Sequence, residues 1–299
     1  MKRVLATLAA VVSLLVLVAC SAGGASVNEK GVPKKLRVGL IPNIAPDKQR
    51  ARYKPLQAYL ERELDAEIEL FVATDYSGVV EALASDRLDL AYLGGLTYVQ
   101  AERKVKLTPV VTEIDRETGT REYLSAVVVK SGSAYRTTAD LVAAKASFAF
   151  GDISSTSGSL YPRAMLADAG VKADSRDPAS CPPLSKVSFT GGHDAVAQSV
   201  LTGATEAGGI ELRILHRLEG EGSVPKGALR AIETRRVTGY PWVVRTEVGS
   251  RAIQEITGAF TRIDDPALLD LLRAKSYAKV SPSDYDEIRR YAERFGLGV

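Results

Sequence analysis

The residues best suited to chemistry lie in one run, Gly151-Asp152-Ile153-Ser154-Ser155-Thr156-Ser157-Gly158-Ser159. Hydroxyls and glycines dominate it, and it contains no Lys or Arg. Ser147 to Phe150, just before, is short, apolar and aromatic, as a strand requires. Leu160, Met165, Leu166 and Ala169, just after, carry helical spacing up to Gly170. A strand–loop–helix junction aims backbone N–H groups and the positive end of a helix dipole at one point in space. Ser155, Thr156 and Ser157 add hydroxyl donors at that point. The chemistry suits an anion held by neutral donors rather than a nucleotide gripped by a P-loop lysine. One Ser or Thr before a helix is usually an N-cap. Three in a row beside two glycines exceed what a cap needs.

The elements that must position this run repeat its pattern. Leu36 to Ile41 reads as a strand, followed by Pro42 and a loop, then a helix over Arg52–Leu64 with Leu56, Tyr59, Leu60 and Leu64 inward. Strands at Ile68–Ala73, Leu88–Leu93 and Val187–Phe189 each run into a Gly- or hydroxyl-bearing loop that opens a helix: 74–77, 94–97 and 190–194. Leu107–Glu113, Tyr123–Lys130, Glu206–Ile210, Leu229–Thr234 and Gly239–Val244 are further strands. Thr137–Ala144 is a helix, and helices over Ser250–Thr261, Pro266–Lys275 and Ser283–Phe295 close the chain. This alternation predicts α/β layers with mostly parallel sheets, which place loops that follow strands on one edge.

The N-terminus reads as an export signal. Lys2 and Arg3 precede an apolar run from Val4 to Val18, too short for a comfortable membrane span. It ends in Leu17-Val18-Ala19-Cys20, which resembles the lipobox of bacterial lipoproteins, whose cysteine is lipidated and becomes the new N-terminus. Residues 1–20 are thus expected to be a lipoprotein signal peptide, and 21–35, rich in Ser, Ala and Gly and then charged, a flexible tether. The formal charge of +3 falls to +1 without Lys2 and Arg3, which gives no electrostatic case for nucleic acid. Cys181 is then the lone remaining thiol, so no internal disulfide is available and the core must suffice. The roughly 265 residues beyond the tether fit one large or two medium domains.

Taken in order, Asp75-Tyr76-Ser77-Gly78-Val79, Asp89-Leu90-Ala91-Tyr92-Leu93-Gly94, Ser154-Ser155-Thr156-Ser157-Gly158 and Gly192-His193-Asp194 resemble motifs of the phosphate/phosphite/phosphonate-binding proteins of ABC importers. Gly94 to Ala101 and the ending from Lys275 to Leu297 look closest to members labelled selenate-binding. The resemblance spans Leu36 to Leu297. It implies an α/β fold of the type II periplasmic-binding-protein class, with two lobes joined by a two-strand hinge and a ligand cleft between them. Lobe 1 would be 36–126 and 237–299, lobe 2 127–236, with the hinge strands near Ala126–Val129 and Arg236–Thr238. Carried over by position, Tyr76 and Thr97 of lobe 1 and Ser155, Thr156, Ser157 and His193 of lobe 2 contact the anion, and Tyr92 lines the cleft. Aminoalkylphosphonate binders place acids around the ligand's ammonium. Here Tyr240 stands at one such position, and Glu211 only approximately matches the other.

The anion class turns on carboxylates. Sulfate or selenate only accepts hydrogen bonds, whereas a protonated phosphoryl oxygen needs an acceptor. Asp75, Asp152, Asp194 and Glu211 are the candidates, each of which has an alternative role in capping or loop bracing. His193, after Gly191-Gly192, is expected to donate to the ligand; His216 is expected on the surface and Trp242 in the core. No Gly-x-Ser-x-Gly elbow and no His-Glu-x-x-His is present, so neither a nucleophilic enzyme nor a metal hydrolase is indicated. The reading is a non-enzymatic, exported, lipid-anchored solute-binding lipoprotein of an ABC transporter. It has no cofactor or metal, is expected to be a monomer, and works with a permease and its ATPase on a tetrahedral oxyanion. Sulfate- or selenate-like binding in the same cleft, or ligand sensing for a membrane receptor, are the alternatives.

Overall fold

The structure, a computed structural model, describes residues 26–173 and 177–298. The signal segment, Cys20 and residues 21–25 lie outside them. Residues 26–34 are not a free tether. Val27 bridges Pro33, Val32 is fully buried, and Asn28 Nδ2 donates to the carbonyls of Leu64 and Asp65, each at 2.7 Å. The apolar Val32, buried in the first core, and the Asn28 side chain supply the docking that the polar composition hid, while the Val27 side chain stays exposed.

Two sheets carry the chain. The first has the order β2-β1-β3-β10-β4-β11, from β1 (Lys35–Leu40), β2 (Glu67–Val72), β3 (Leu90–Tyr92), β4 (Leu107–Asp115), β10 (Trp242–Arg245) and β11 (Ala274–Lys279). β1 pairs in parallel with β2 and β3, while β10 is antiparallel to both its neighbours and β11 to β4. The second has the order β7-β6-β8-β5-β9, from β5 (Glu122–Lys130), β6 (Phe148–Phe150), β7 (Val187–Phe189), β8 (Ala207–Glu211) and β9 (Leu229–Thr238). β6 is parallel to β7 and β8, but β5 is antiparallel to β8 and β9. The sheets are therefore mixed rather than mostly parallel: β5 and β10, which enter a sheet from the other one, and the edge strand β11 run against the rest. The core follows strand alternation: Ala126 and Val128 of β5 pack on one face, Val127 and Val129 on the other.

The chain crosses between sheets at 116–121 and at 239–241, flanked by β4 and β5 and by β9 and β10. The expected hinge positions, Ala126–Val129 and Arg236–Thr238, lie inside paired strands of the second sheet. β5 is paired with β9 from Glu122 onward, with one register shift between Val127 and Val128, so the crossing itself falls before the strand. The crossings touch, Gly239 N–H donating to Arg121 O at 2.7 Å. A Cβ on Gly239 would stand 2.4 Å from Thr112 Oγ1 and 2.8 Å from Arg121 O, so only glycine fits.

The helices are α1 (Pro46–Leu64), α2 (Tyr76–Ala84), α3 (Gly95–Glu102), α4 (Thr138–Ala143), α5 (Tyr161–Asp168), α6 (His193–Thr202), α7 (Leu212–Gly220), α8 (Ser250–Thr261), α9 (Pro266–Leu271) and α10 (Asp286–Arg294). α1 begins at Pro46 rather than Arg52, using proline in its first turn. The expected helix over Pro266–Lys275 stops at Leu271, and Ala274–Lys279 becomes an edge strand on β4. Pairing with a neighbour overrides local preference there.

Candidate functional site

Four strand ends meet four helix starts where the sheets face each other. β2 leads to α2, β3 to α3, β6 through a π-helical turn (Thr156–Leu160) to α5, and β7 to α6. Each helix start leaves its first N–H groups without intrahelical partners and carries positive dipole.

The polar run lies in the second sheet's contribution. Leu160 N–H reaches Ser155 O at 3.0 Å, and Tyr161 N–H reaches Thr156 O. This i→i+5 pattern widens the first turn of the helix, a feature that recurs at functional sites. Ser155 Oγ accepts from Gly158 N at 3.0 Å. Thr156 Oγ1 accepts from Leu96 N, across the gap, at 2.9 Å. Thr97 Oγ1 donates to Ser154 O at 3.1 Å, so its hydrogen is spent on the opposing backbone. Thr97 thus acts as a clasp between lobes in this conformation. Ser157 Oγ is fully buried and pairs with no protein group among the described residues.

His193 opens α6. Its N–H donates to Asn43 O at 3.0 Å, and its Nδ1 accepts from Glu211 N at 3.3 Å. The proton must then sit on Nε2, which is buried and unpaired among the described residues. Burial, set against the nearby Glu211 charge, lowers its pKa to about 4, so the ring is a neutral N–H donor at physiological pH. Tyr76 OH is also buried and unpaired among the described residues; burial, with the nearby Asp152 charge, pushes its pKa well up. Asn43 Nδ2 and Tyr123 OH share this condition. Leaving a buried donor unpaired costs about 1–3 kcal/mol, and such groups are rare in folded proteins. Asn43 and Tyr123 were not singled out from sequence. Asn43 could have been, since it follows the first strand on the same sheet edge as the other loops; Tyr123 reads as an ordinary strand aromatic.

The carboxylates are committed elsewhere. Asp75 caps α2 through Gly78 N at 2.7 Å. Asp152 accepts from Ser154 N at 2.8 Å and from Tyr76 N at 3.3 Å, and burial raises its pKa. Asp194 accepts from Ala45 N across the gap at 3.2 Å. Glu211 is fully buried, hydrogen-bonded by Arg213 Nε at 2.8 Å and Tyr240 OH at 2.6 Å, and ion-paired with Arg273 Nη1 at 2.9 Å. Burial alone would raise its pKa; the two guanidiniums outweigh it and hold it at about 2. Arg213 also pairs with Glu113 at 3.0 Å and Asp115 at 2.8 Å, and its guanidinium lies 4.6 Å from the Tyr123 ring centre. Tyr240 stacks on Tyr92 at 5.1 Å, and Tyr92 packs against Trp242 at 5.1 Å. Tyr92 and Trp242 are therefore parts of an aromatic layer beneath the donors. His216 is exposed and meets Glu117 at 3.0 Å.

Two α/β lobes joined by paired crossings, with inward-facing donors at opposed helix starts, define a type II periplasmic binding protein. Residues 38–285 match the family described as ABC transporter, phosphonate, periplasmic substrate-binding protein, and the chain belongs to that family. Relatives include the phosphate-import protein PhnD of Mycolicibacterium smegmatis, 27% identical, covering 98% of this chain and 96% of that protein. A probable phosphite-binding PhnD1 of Prochlorococcus marinus is 25% identical over 88% of this chain and 90% of its own length. The methylphosphonate complex of Prochlorococcus marinus PhnD1 superimposes with a TM-score of 0.77 at 25% identity, covering 89% of this chain and 99% of that one. A binding component of an ABC phosphonate transporter from Pseudomonas aeruginosa shares the fold, with a TM-score of 0.77 at 19% identity over 86% and 85% of the two chains. Proteins of this family bind solute for transport and are not enzymes.

Proposed function

We propose that this protein captures a small tetrahedral oxyanion of the phosphate, phosphite or alkylphosphonate type between its lobes and hands it to an ABC permease and ATPase. One observation carries the reading: Tyr76 OH, Ser157 Oγ and the His193 Nε2–H are buried, unpaired among the described residues, and set at opposed helix starts. In the bonds they make, the Ser155 and Thr156 hydroxyl oxygens act as acceptors, and their hydrogens can turn to the anion. Tyr92 and Tyr240 support the pocket floor rather than grip the anion. The relatives named above import phosphate, bind phosphite or hold methylphosphonate.

Glu211 excludes an ammonium-bearing ligand. With two arginines and Tyr240 on it, it offers no free negative charge, and burying an unpaired ammonium is costly. The same lack of a free carboxylate favours a second reading, a fully ionised sulfate- or selenate-like anion. Calorimetric titration of the mature protein with phosphate, phosphite, methylphosphonate, 2-aminoethylphosphonate, sulfate and selenate decides. Phosphorus anions without ammonium should bind tightest. Tightest binding of sulfate or selenate would install the second reading, and tight 2-aminoethylphosphonate binding would overturn the role given to Glu211.

The N-terminal cysteine motif supports lipid anchoring at the outer face of the cell membrane. Cys20→Ser should abolish incorporation of a labelled fatty acid; unchanged labelling would remove the anchor.

A further inference from the structure

Behind Glu211, on the far side of the Arg213 ion cluster, a cavity of about 460 Å³ opens where the two lobes meet. Arg52 of α1, Arg217 of α7 and Arg273, just after α9, line it. Its carboxylates are taken. Glu221 pairs with Arg52 at 2.6 Å, Asp270 with Arg116 at 2.7 Å, Glu117 with His216 and Asp115 with Arg213. Arg273 is spent on Glu211. Arg217 is left over. Its ion pair among the described residues is a long one, to Glu221 at 3.8 Å, which Arg52 already holds; its side chain is 14% exposed, and its Nε and Nη2 are buried and without a hydrogen-bond partner among the described residues. Burial, with repulsion from Arg273 and Arg52, lowers its pKa to about 9. A buried guanidinium with unfilled donors and only a shared, distant carboxylate is costly, and its forked donors match a tetrahedral oxyanion.

We infer that this cavity is a second oxyanion site, in which Arg217 and Arg52 hold a phosphate-class anion outside the transport cleft. Arg52 belongs to the first lobe and Arg217 to the second, so the site is complete only in the closed protein, and an anion there favours closure. Concavity and the depth of Arg217 favour a small anion over an acidic side chain from a partner protein.

The inference rests on the transport reading only for its coupling to closure, and one experiment separates the two. The full mature chain is titrated with inorganic phosphate by calorimetry, beside Arg217→Met, which keeps the apolar stem, and Ser157→Ala. Wild-type protein should show two binding events. Arg217→Met should weaken the second at least about tenfold, the scale of a lost charge-assisted bond, and leave the first in place; Ser157→Ala should weaken the first. Thermal unfolding in phosphate-free buffer guards against a misfolded variant: Arg217→Met should melt no lower than wild type, since it removes a buried and only weakly compensated charge. A single event in wild type that Arg217→Met leaves unchanged overturns the second site. A missing Ser157-sensitive event beside an intact Arg217-sensitive one overturns the phosphate reading of the cleft instead. If phosphate leaves Arg217 untouched while Arg217→Met abolishes stimulation of the permease's ATPase, the arginine serves a protein partner and the inference fails.

Discussion

Ser157 and Thr156 are neighbours with different expected fates. Ser157 Oγ has no partner within the described protein, so Ser157→Ala should cost little stability yet weaken anion binding by about 1.5–3 kcal/mol, ten- to a hundredfold. Thr156 Oγ1 bonds the opposite lobe, so Thr156→Val should weaken both anion binding and closure. Calorimetry with paired melting curves checks both; equal affinity in Ser157→Ala would remove it from the ligand. Histidine supplies a pH signature, since the chain has only two. His193 is held at about 4 by burial, whereas the Glu117 hydrogen bond raises His216. Proton NMR of the anion-free protein should show one imidazole titrating above 6.5 and the other silent from pH 8 to 5. The sign for stability follows. A folded pKa below the free value of 6.5 means His193 contributes fully above that pH, and the contribution drains away as pH falls toward 4. Two residues with normal titration would refute the buried, Nε2-protonated ring. The hydroxyl run and His193 were legible in sequence because local spacing marks a helix start. Whether a given hydroxyl is spent on the opposing lobe, as Thr97 is, depends on a partner 57 positions away and leaves no local trace.

The strand–loop–helix junctions are the elements that build the cleft, and their glycines set how near the lobes can come. A Cβ on Gly94 would stand 2.9 Å from Thr156 Oγ1 of the other lobe. Gly94→Ala should therefore leave each lobe folded while holding the lobes apart. Anion affinity should fall, and the radius of gyration at saturating anion should stay above that of wild type in small-angle scattering. Wild-type compaction in that variant would show that the loops yield. Most junctions could be read from alternating pattern and turn chemistry. β11 could not, because Ala274–Lys279 becomes a strand only by covering the edge of β4. The crossings at 116–121 and 239–241 were likewise displaced from their expected places, since a strand's apolar alternation continues unbroken up to a bend and does not announce it.

At the scale of the molecule, a buried ion network ties the lobes beside the crossings. Arg213 of the second sheet's helix α7 reaches Glu113 and Asp115 of β4, partners 100 and 98 positions away, which is why sequence alone did not reveal it. Removing one member strands the rest, so Arg213→Met should cost about 3–5 kcal/mol by denaturant unfolding; a loss under about 1 kcal/mol would be that of an exposed pair and would rule the network out as a brace. Contacts between protein groups also span the gap: Leu96 to Thr156, Thr97 to Ser154, Ala45 to Asp194 and His193 to Asn43. At roughly 1 kcal/mol net apiece, these bonds slow the opening of a shut molecule whether or not it carries cargo. Empty molecules that spend part of their time shut present the permease with the same outer face as loaded ones. They would then compete for docking, and uptake would slow when carriers greatly outnumber cargo. Single-molecule distance measurements between labelled lobes in anion-free buffer should record these shut intervals, and their length should shorten in Thr156→Val.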